Sequence, residues 1–352
     1  MSEYILSQIK PTDRRALRQM DALLQKEGIE RDKNLDYSVG LFDEDYELIG
    51  TGSCFGNTLR CLAVSSDHQG EGLLNQIISH LMEFQYQRGN TSLFLYTKCN
   101  TARFFKDLGF HEIARVEGKV VFMENRRNGF PDYLKKLQDE TAAPEETPRR
   151  IGAVIMNANP FTLGHQYLLR QASAQVDLLH VFVVSEDVSL IPLSVRERLV
   201  REGSADLPNL VYHQTGPYMI SNATFPSYFL KDSDTVIRSH AKLDIAVFLR
   251  IAQALSITDR FVGEEPFSQV TGIYNQVMAQ ELSAAGITCT VLPRLSDREG
   301  AISASQVRAL IKEGKMEELA AKVPAPTFAY FQSPEAEPVI RRIRQSENVI
   351  HY

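Results

Sequence analysis

The sequence predicts an α/β protein of two domains, a mixed α/β half followed by a doubly wound parallel-sheet half. Three observations carry this. The chain has 352 residues, more than one ordinary domain holds. Its composition breaks at Thr141–Arg150 (TAAPEETPRR), where two prolines and mixed charges interrupt patterned segments. After that break, short β-type apolar runs alternate with stretches of helical spacing, the pattern of a parallel sheet with helices on both faces. The expected divisions are a first domain over 1–140, a linker over 141–149, a second domain over 150–333 and a tail over 334–352.

In the first half, Tyr46–Ile49, Leu59–Val64 and Ser92–Tyr96 read as strands and Leu73–Gln87 as a helix. In the second, the expected strands are Ile151–Met156, Leu179–Val184, Leu210–Tyr212, Arg260–Gly263 and Thr288–Leu292. Helical spacing covers His165–Val176, Ser194–Glu202, Ile237–Leu255, Val270–Ala285 and Ser305–Glu313.

Composition narrows the function. The chain is 43% hydrophobic and 23% charged, as a globular protein with a real core should be. Its 38 basic and 44 acidic residues leave a net charge of −6, and neither half is basic, which argues against nucleic acid as a partner. Residues 1–10 have no basic and apolar leader, and the long uncharged run Leu207–Leu230 is interrupted by Pro208, Pro217 and Pro226, so neither a signal peptide nor a membrane span is read. The four cysteines have no CxxC spacing, which argues against zinc and a disulfide framework. The expected location is cytoplasmic, with no membrane partner and no residue assigned to a metal.

The densest signal is Asn157-Ala158-Asn159-Pro160-Phe161-Thr162-Leu163-Gly164-His165, between the first strand and first helix of the second half. In a doubly wound sheet ligands bind beyond the carboxyl ends of strands. A helix opening there offers free N–H groups and the positive end of its dipole to phosphate. Gly164 leaves room for a nucleotide against the backbone, His165 supplies a donor for charge on a transferring phosphoryl group, and Thr162 is a candidate N-cap. Taken alone, TxGH is equally well a capped polar turn. A second anion site lies 138 residues on, in Ile302-Ser303-Ala304-Ser305-Gln306-Val307-Arg308, where two hydroxyls enter a helix and Arg308 follows one turn later. Ser305 is the expected cap of that helix.

The pair TxGH and SxSxxR resembles the HxGH/TxGH nucleotidyltransferase superfamily, which has a Rossmann-like fold. That resemblance implies ATP binding by Asn157, Asn159, Phe161, Thr162, Gly164, His165, Arg198, Gly263, Ser303, Ser305 and Arg308, with His165 and Arg308 catalytic. Met156 and Asn159 stand where the superfamily's GxFDP lead-in has glycine and aspartate, which implies an unusual acceptor.

In the first half, Leu62-Ala63-Val64 leads into Asp67-His68-Gln69-Gly70-Glu71-Gly72-Leu73-Leu74, a strand, a glycine loop and a helix start. With Ala102–Phe110 it resembles motifs A and B of the GNAT acetyltransferases, which implies that Val64, Gln69, Gly70 and Gly72 bind a coenzyme A-like arm. Two residues depart from that pattern. Leu74 replaces a small residue, and Phe105 stands where many members carry a tyrosine that protonates the leaving thiolate. A phenyl ring cannot do this. Tyr96 and Cys99 are the alternative donors. His213 and His240 belong to no constellation and read as ordinary satisfied histidines.

A GNAT-like domain followed by MNANPFTLGH, RFVGEEPF and ISASQVR resembles, over the whole chain, the citrate lyase ligase family. The resemblance implies ATP and Mg²⁺ as cofactors, acetate as substrate, and release of pyrophosphate and AMP. It also implies a partner, the acyl-carrier (gamma) subunit of citrate lyase, whose phosphoribosyl-dephospho-coenzyme A thiol is acetylated. Two alternatives remain open on the residues: a coenzyme-biosynthesis adenylyltransferase of the phosphopantetheine type, and a sensor of coenzyme A and ATP without turnover.

Overall fold

The structure is a computed structural model and describes residues 4–32, 34–68, 72–141, 149–185, 189–219, 233–264, 269–298 and 300–346. The chain divides into two compact units, Met1–Tyr133 with Thr224–Ala246, and Leu134–Ala223 with Val247–Tyr352. Both expected folds are present, a GNAT-like mixed α/β sheet first and a Rossmann-like parallel sheet second.

The first unit runs β1 (Ile5–Gln8), α1 (Arg14–Lys26), β2 (Tyr37–Phe42), β3 (Leu48–Phe55), β4 (Thr58–Val64), α2 (Leu73–Gln87), β5 (Phe94–Thr97), α3 (Ala102–Asp107), β6 (His111–Val116) and β7 (Val120–Glu124). Its seven strands are ordered β1-β2-β3-β4-β5-β7-β6. All neighbours are antiparallel except β4 and β5, which pair in parallel at only two positions, Thr58↔Phe94 and Leu59↔Leu95. The early end of that ladder has a local cause. Between Arg60 and Ala63, β4 carries Cys61 and Leu62 against Gly52 alone, and Cys61 takes a left-handed backbone (φ 51°). Such a bulge bends its strand, and beyond it β4 and β5 part. Ile77, Ile78 and Leu81 of α2 are buried with Val39, Leu59, Leu95, Phe105 and Phe110 in the core beneath the sheet. Each such side chain contributes about 1.5–3 kcal/mol.

The helix α4 (Gly129–Glu140) follows. Its last residues were expected in the first domain, yet Leu134 onward groups with the second unit. There Gln138 Nε2 donates to the Ala254 carbonyl (2.9 Å) and Glu140 meets His213 Nδ1 (2.7 Å). Most of the expected linker, 142–148, lies outside the described residues.

The second unit continues with β8 (Ile151–Met156), α5 (Leu163–Ser173), β9 (Leu178–Val183), α6 (Leu193–Gly203), β10 (Leu210–Gln214), the part of α7 (Ser233–Leu255) from Val247 onward, β11 (Asp259–Gly263), α8 (Gln269–Ala284) and β12 (Thr288–Leu292); α7 up to Ala246 groups with the first unit. A two-residue pair, β13 (Ser296–Asp297) and β14 (Gly300–Ala301), precedes α9 (Ala304–Glu313), α10 (Met316–Leu319), α11 (Ala325–Gln332) and α12 (Glu337–Gln345). The five long strands are all parallel, in the order β10-β9-β8-β11-β12. The order reverses direction at β8, so the carboxyl ends of β8 and β11 border the crevice where such sheets bind ligands. The expected C-terminal tail contains α12, whose Val339 and Ile343 are buried in this unit's core with Phe331 and Leu319. Its three apolar residues, Val339, Ile340 and Ile343, span little more than one turn, too short a pattern to stand out among the surrounding charges.

Candidate functional site

The loop after β8 is held from inside. Arg196, fully buried on α6, donates from Nη1 to the Asn157 carbonyl (2.8 Å), Asn157 Oδ1 (2.9 Å) and the Val184 carbonyl (2.7 Å), and from Nε to the Ile191 carbonyl (3.0 Å). Asn157 Oδ1 also accepts from Ser189 Oγ (3.1 Å), and Asn159 Oδ1 accepts from the Ile191 amide (3.2 Å). Both asparagines therefore spend their carbonyl oxygens on shaping the loop.

Thr162 caps α5, as its sequence context predicts. Its Oγ1 accepts the His165 amide (3.3 Å), while its own amide donates to His165 Nδ1 (3.1 Å) and its hydroxyl lies 2.9 Å from the same nitrogen. A nitrogen that accepts an N–H carries no proton, so the neutral ring bears its proton on Nε2. Burial, reinforced by the charge of Arg294, pushes the His165 pKa down to about 4. At neutral pH His165 is an uncharged donor.

The second motif meets the first at Gly164. A Cβ there would lie 2.7 Å from the Ile302 carbonyl oxygen, a backbone atom that cannot swing aside. Only glycine lets the start of α5 approach the residue preceding SxSxxR so closely. Ser303, not Ser305, caps α9: its Oγ accepts the Gln306 amide (3.1 Å). The extended backbone at Ser303 puts it at the cap position, which corrects the expectation for Ser305. Ser305 Oγ instead accepts from Arg308 Nη2 (3.2 Å), and Arg308 Nη1 donates to the Asn159 carbonyl. Arg308 thus ties the two motifs together from a 95% buried position.

These residues surround a cleft of about 270 Å³. Asn157, Asn159, Thr162, Gly164, His165, Gly263, Ser303, Ser305 and Arg308 line it, together with Met156, Ala158, Tyr167 and Arg294. Two expected residues are elsewhere. Phe161 is buried, its ring stacked on His165 at 5.9 Å. Arg198 is 42% exposed, pairs with Glu335 (2.8 Å) and lies over the Tyr330 ring. Arg294 and Arg196 went unrecognised in the sequence, where no motif spacing marks either. Among the described residues no group of three or more His, Cys, Asp or Glu side chains could hold a metal ion.

A second, larger cleft of about 650 Å³ lies in the first unit where β4 and β5 part. Val64 and Gly72 line it; Gln69 and Gly70 lie outside the described residues. Gly72 takes a left-handed conformation (φ 73°) at the start of α2, with no side chain capping that helix. The walls are mainly apolar, with Leu62, Leu73, Phe104 and the buried Phe105; among the described residues Glu27, His68, Asn100 and Lys98 add polar groups, and Lys98 Nζ donates to the Glu27 carbonyl (3.2 Å). Tyr96 lines this cleft and Cys99 does not; Cys99 Sγ donates to the Val116 carbonyl (3.4 Å).

No helix among the described residues is long and apolar enough to cross a membrane. Residues 151–331 match a family model described as the citrate lyase ligase C-terminal domain. Citrate (pro-3S)-lyase ligase of Escherichia coli (strain K12) is 37% identical over 341 residues, covering 94% of this chain and 94% of its own. The Klebsiella pneumoniae protein of the same name is 37% identical over 316 residues, 88% of this chain and 91% of its own. Among solved structures, a putative acyl-CoA N-acyltransferase from Klebsiella pneumoniae covers 34% of this chain and 95% of its own at 19% identity, with a TM-score of 0.30. The fold of the first unit rests on its strand order instead. Agreement along nearly the full length of two curated relatives, together with the matched C-terminal domain, decides the matter: the chain belongs to the citrate lyase ligase family.

Proposed function

We propose that the chain is an AMP-forming acid–thiol ligase that activates acetate with ATP and acetylates the prosthetic-group thiol of the citrate lyase acyl-carrier (gamma) subunit, in the cytoplasm. The observation that carries this reading is the convergence of His165, Ser303, Ser305 and Arg308 on one cleft at the carboxyl end of β8.

The chemistry suits these groups. Acetate is ionised at neutral pH, as carboxylates with pKa values of roughly 4 are, and attacks the α-phosphorus of ATP without a general base. The new O–P bond forms as the bond to pyrophosphate breaks, giving acetyl-adenylate. The site must supply alignment and charge stabilisation. The Nε2–H of neutral His165 donates to the phosphoryl oxygens without removing a proton from anything, and Arg308 brings a fixed positive charge. The remaining ATP contacts fall to the serines of the SxSxxR motif and to Gly263. Among the described residues no acidic cluster would cage Mg²⁺, which would enter on the triphosphate, as this ion commonly does, and neutralise part of its charge. In the second step the carrier thiol's sulfur attacks the acetyl carbon, the C–O bond to AMP breaks, and the thiol proton goes to solvent. The first unit would hold the phosphoribosyl-dephospho-coenzyme A arm in the cleft beside Val64 and Gly72. Phe105 has no proton to give, so this cleft would bind without running ordinary acetyl transfer.

The test is acetate-dependent exchange of labelled pyrophosphate into ATP, with wild type and His165→Ala. Exchange that needs acetate and falls about 10²–10³-fold in the variant is expected. If neither exchange nor acetylation of the citrate lyase carrier occurs, the ligase reading is lost. Exchange dependent on phosphopantetheine would establish the adenylyltransferase instead.

A further inference from the structure

We infer that Arg294, on the turn leaving β12, binds substrate in the adenylation step, directing its guanidinium at the same phosphoryl group that His165 and Arg308 address. This rests on the ATP-dependent reading above. Among the described residues lining the cleft, the formal cations are Arg294 and Arg308, and no carboxylate lines it. A triphosphate brings about four negative charges, and Arg308 already spends donors on the Asn159 carbonyl and Ser305.

Arg294 is placed for the task. Its Nε donates to the Glu264 carbonyl (2.5 Å), which fixes the guanidinium plane where the exits of β11 and β12 lie side by side. It is half-buried, and desolvation disfavours its charge, a penalty that an incoming phosphate would relieve. Arg198 lies outside the cleft lining and pairs with Glu335 at the surface.

Arg294 also acts on His165, because its charge adds to burial in holding that imidazole neutral. The other charged or titratable groups lining the cleft are Arg308 on α9 and Tyr167 on α5, while Glu264 opposes Arg294 from the β11 exit. With Arg294 present, His165 keeps its Nε2–H donor role through the physiological range.

The test compares Arg294→Gln and Arg294→Lys in acetate-dependent pyrophosphate exchange, alongside titration of the His165 ring followed by NMR. Glutamine retains a donor for the Glu264 carbonyl but no charge. Its kcat/KM for ATP should fall about 10²–10³-fold, with the His165 titration moving upward. Lysine retains the charge, should recover about a tenth of the activity or more, and should leave the His165 titration low. Arg294→Gln within twofold of wild type, with His165 unmoved, overturns the inference while the ligase reading stands. Equal loss in both variants with His165 unmoved would make Arg294 a structural tie and overturn it too. Wild type without any exchange takes the ligase reading down first, and this inference with it.

Discussion

Both units open a cleft at the carboxyl end of a strand, but they do so by different means. In the second, β8 ends in a loop pinned by Arg196 and runs into a helix whose cap, Thr162, also orients a histidine. The result is small, about 270 Å³, and lined by hydroxyls, two arginines and a neutral imidazole. In the first, a bulge bends β4 away from β5 after two paired positions, and the gap is larger, about 650 Å³, and walled mainly by apolar side chains. Donors fixed by backbone hydrogen bonds suit a reaction in which charge must be met without reorganisation. An apolar slot with a glycine at its mouth suits a long, flexible arm. Under the proposed function, the way each cleft is built would separate holding the arm from running the reaction within one polypeptide.

The largest expected effect breaks the second cleft alone. Arg308→Gln removes both the positive charge and the tie to the Asn159 carbonyl, and exchange should fall by about 10³-fold. Coenzyme A binding to the same protein, measured by calorimetry, should not change. Loss of both would mean that the two clefts are not independent.

Gly164→Val tests the meeting point of the two motifs. Its Cβ would have to displace the Ile302 carbonyl, at 2.7 Å, with a strain of about 1–3 kcal/mol. A displacement of about 1 Å costs on the order of 10²-fold in kcat/KM. Wild-type exchange in this variant would show that the close approach is dispensable.

Gly72→Val sharpens the contrast from the other side. A branched residue at φ 73° costs about 1–2 kcal/mol locally and re-aims the start of α2. Acetylation of the carrier thiol should drop about tenfold while pyrophosphate exchange stays within twofold. Equal loss of both steps would refute the division of labour.

The smallest effect at neutral pH, and the only one visible mainly in acid, concerns stability of the second unit. His213, buried, accepts or donates at Nε2 to His180 Nδ1 (2.9 Å) and meets Glu140 at Nδ1. Desolvation lowers the pKa of both, that of His180 to about 3. The folded chain therefore keeps these rings neutral where the unfolded chain would protonate them, below about pH 6.5. Stability is full above that value and falls as pH drops beneath it. At pH 5 the His180 contribution to this loss is about 2 kcal/mol. Urea unfolding at pH 7 and pH 5 measures it, and His180→Phe should flatten the dependence; an unchanged slope would count against it.

Several parts of this were legible in the sequence. Thr162, Gly164, His165, Ser303, Ser305, Arg308 and Gly263 do line one cleft, because each lies next to a strand end or helix start that local pattern reveals. Strands β1, β2 and β6 escaped detection, being four to six residues long with mixed polarity such as ILSQ; β7 (VVFME) is apolar, but a run of five residues does not by itself distinguish a strand from a buried helical turn. In Leu193-Ser194-Val195-Arg196-Glu197-Arg198 the resemblance pointed to Arg198, yet α6 turns Arg196 inward to the loop and Arg198 outward to Glu335. Two positions along a helix reverse the face, and a motif match does not say which residue faces the site. His213 read as ordinary because its partners, Glu140 and His180, are 73 and 33 residues away.

By itself, the sequence determined what is local: the cap at Thr162, the helix after it, the alternation of strand and helix, and the absence of a tyrosine at Phe105. Hydrogen bonds that close within three residues depend on few atoms, so their signature survives in a short string. Tertiary structure alone decided that Gly164 meets Ile302, that Arg294 reaches the cleft, and that β4 leaves β5. Those contacts follow from strand order, a bulge and the packing of many side chains at once, and that sum is written in no single residue.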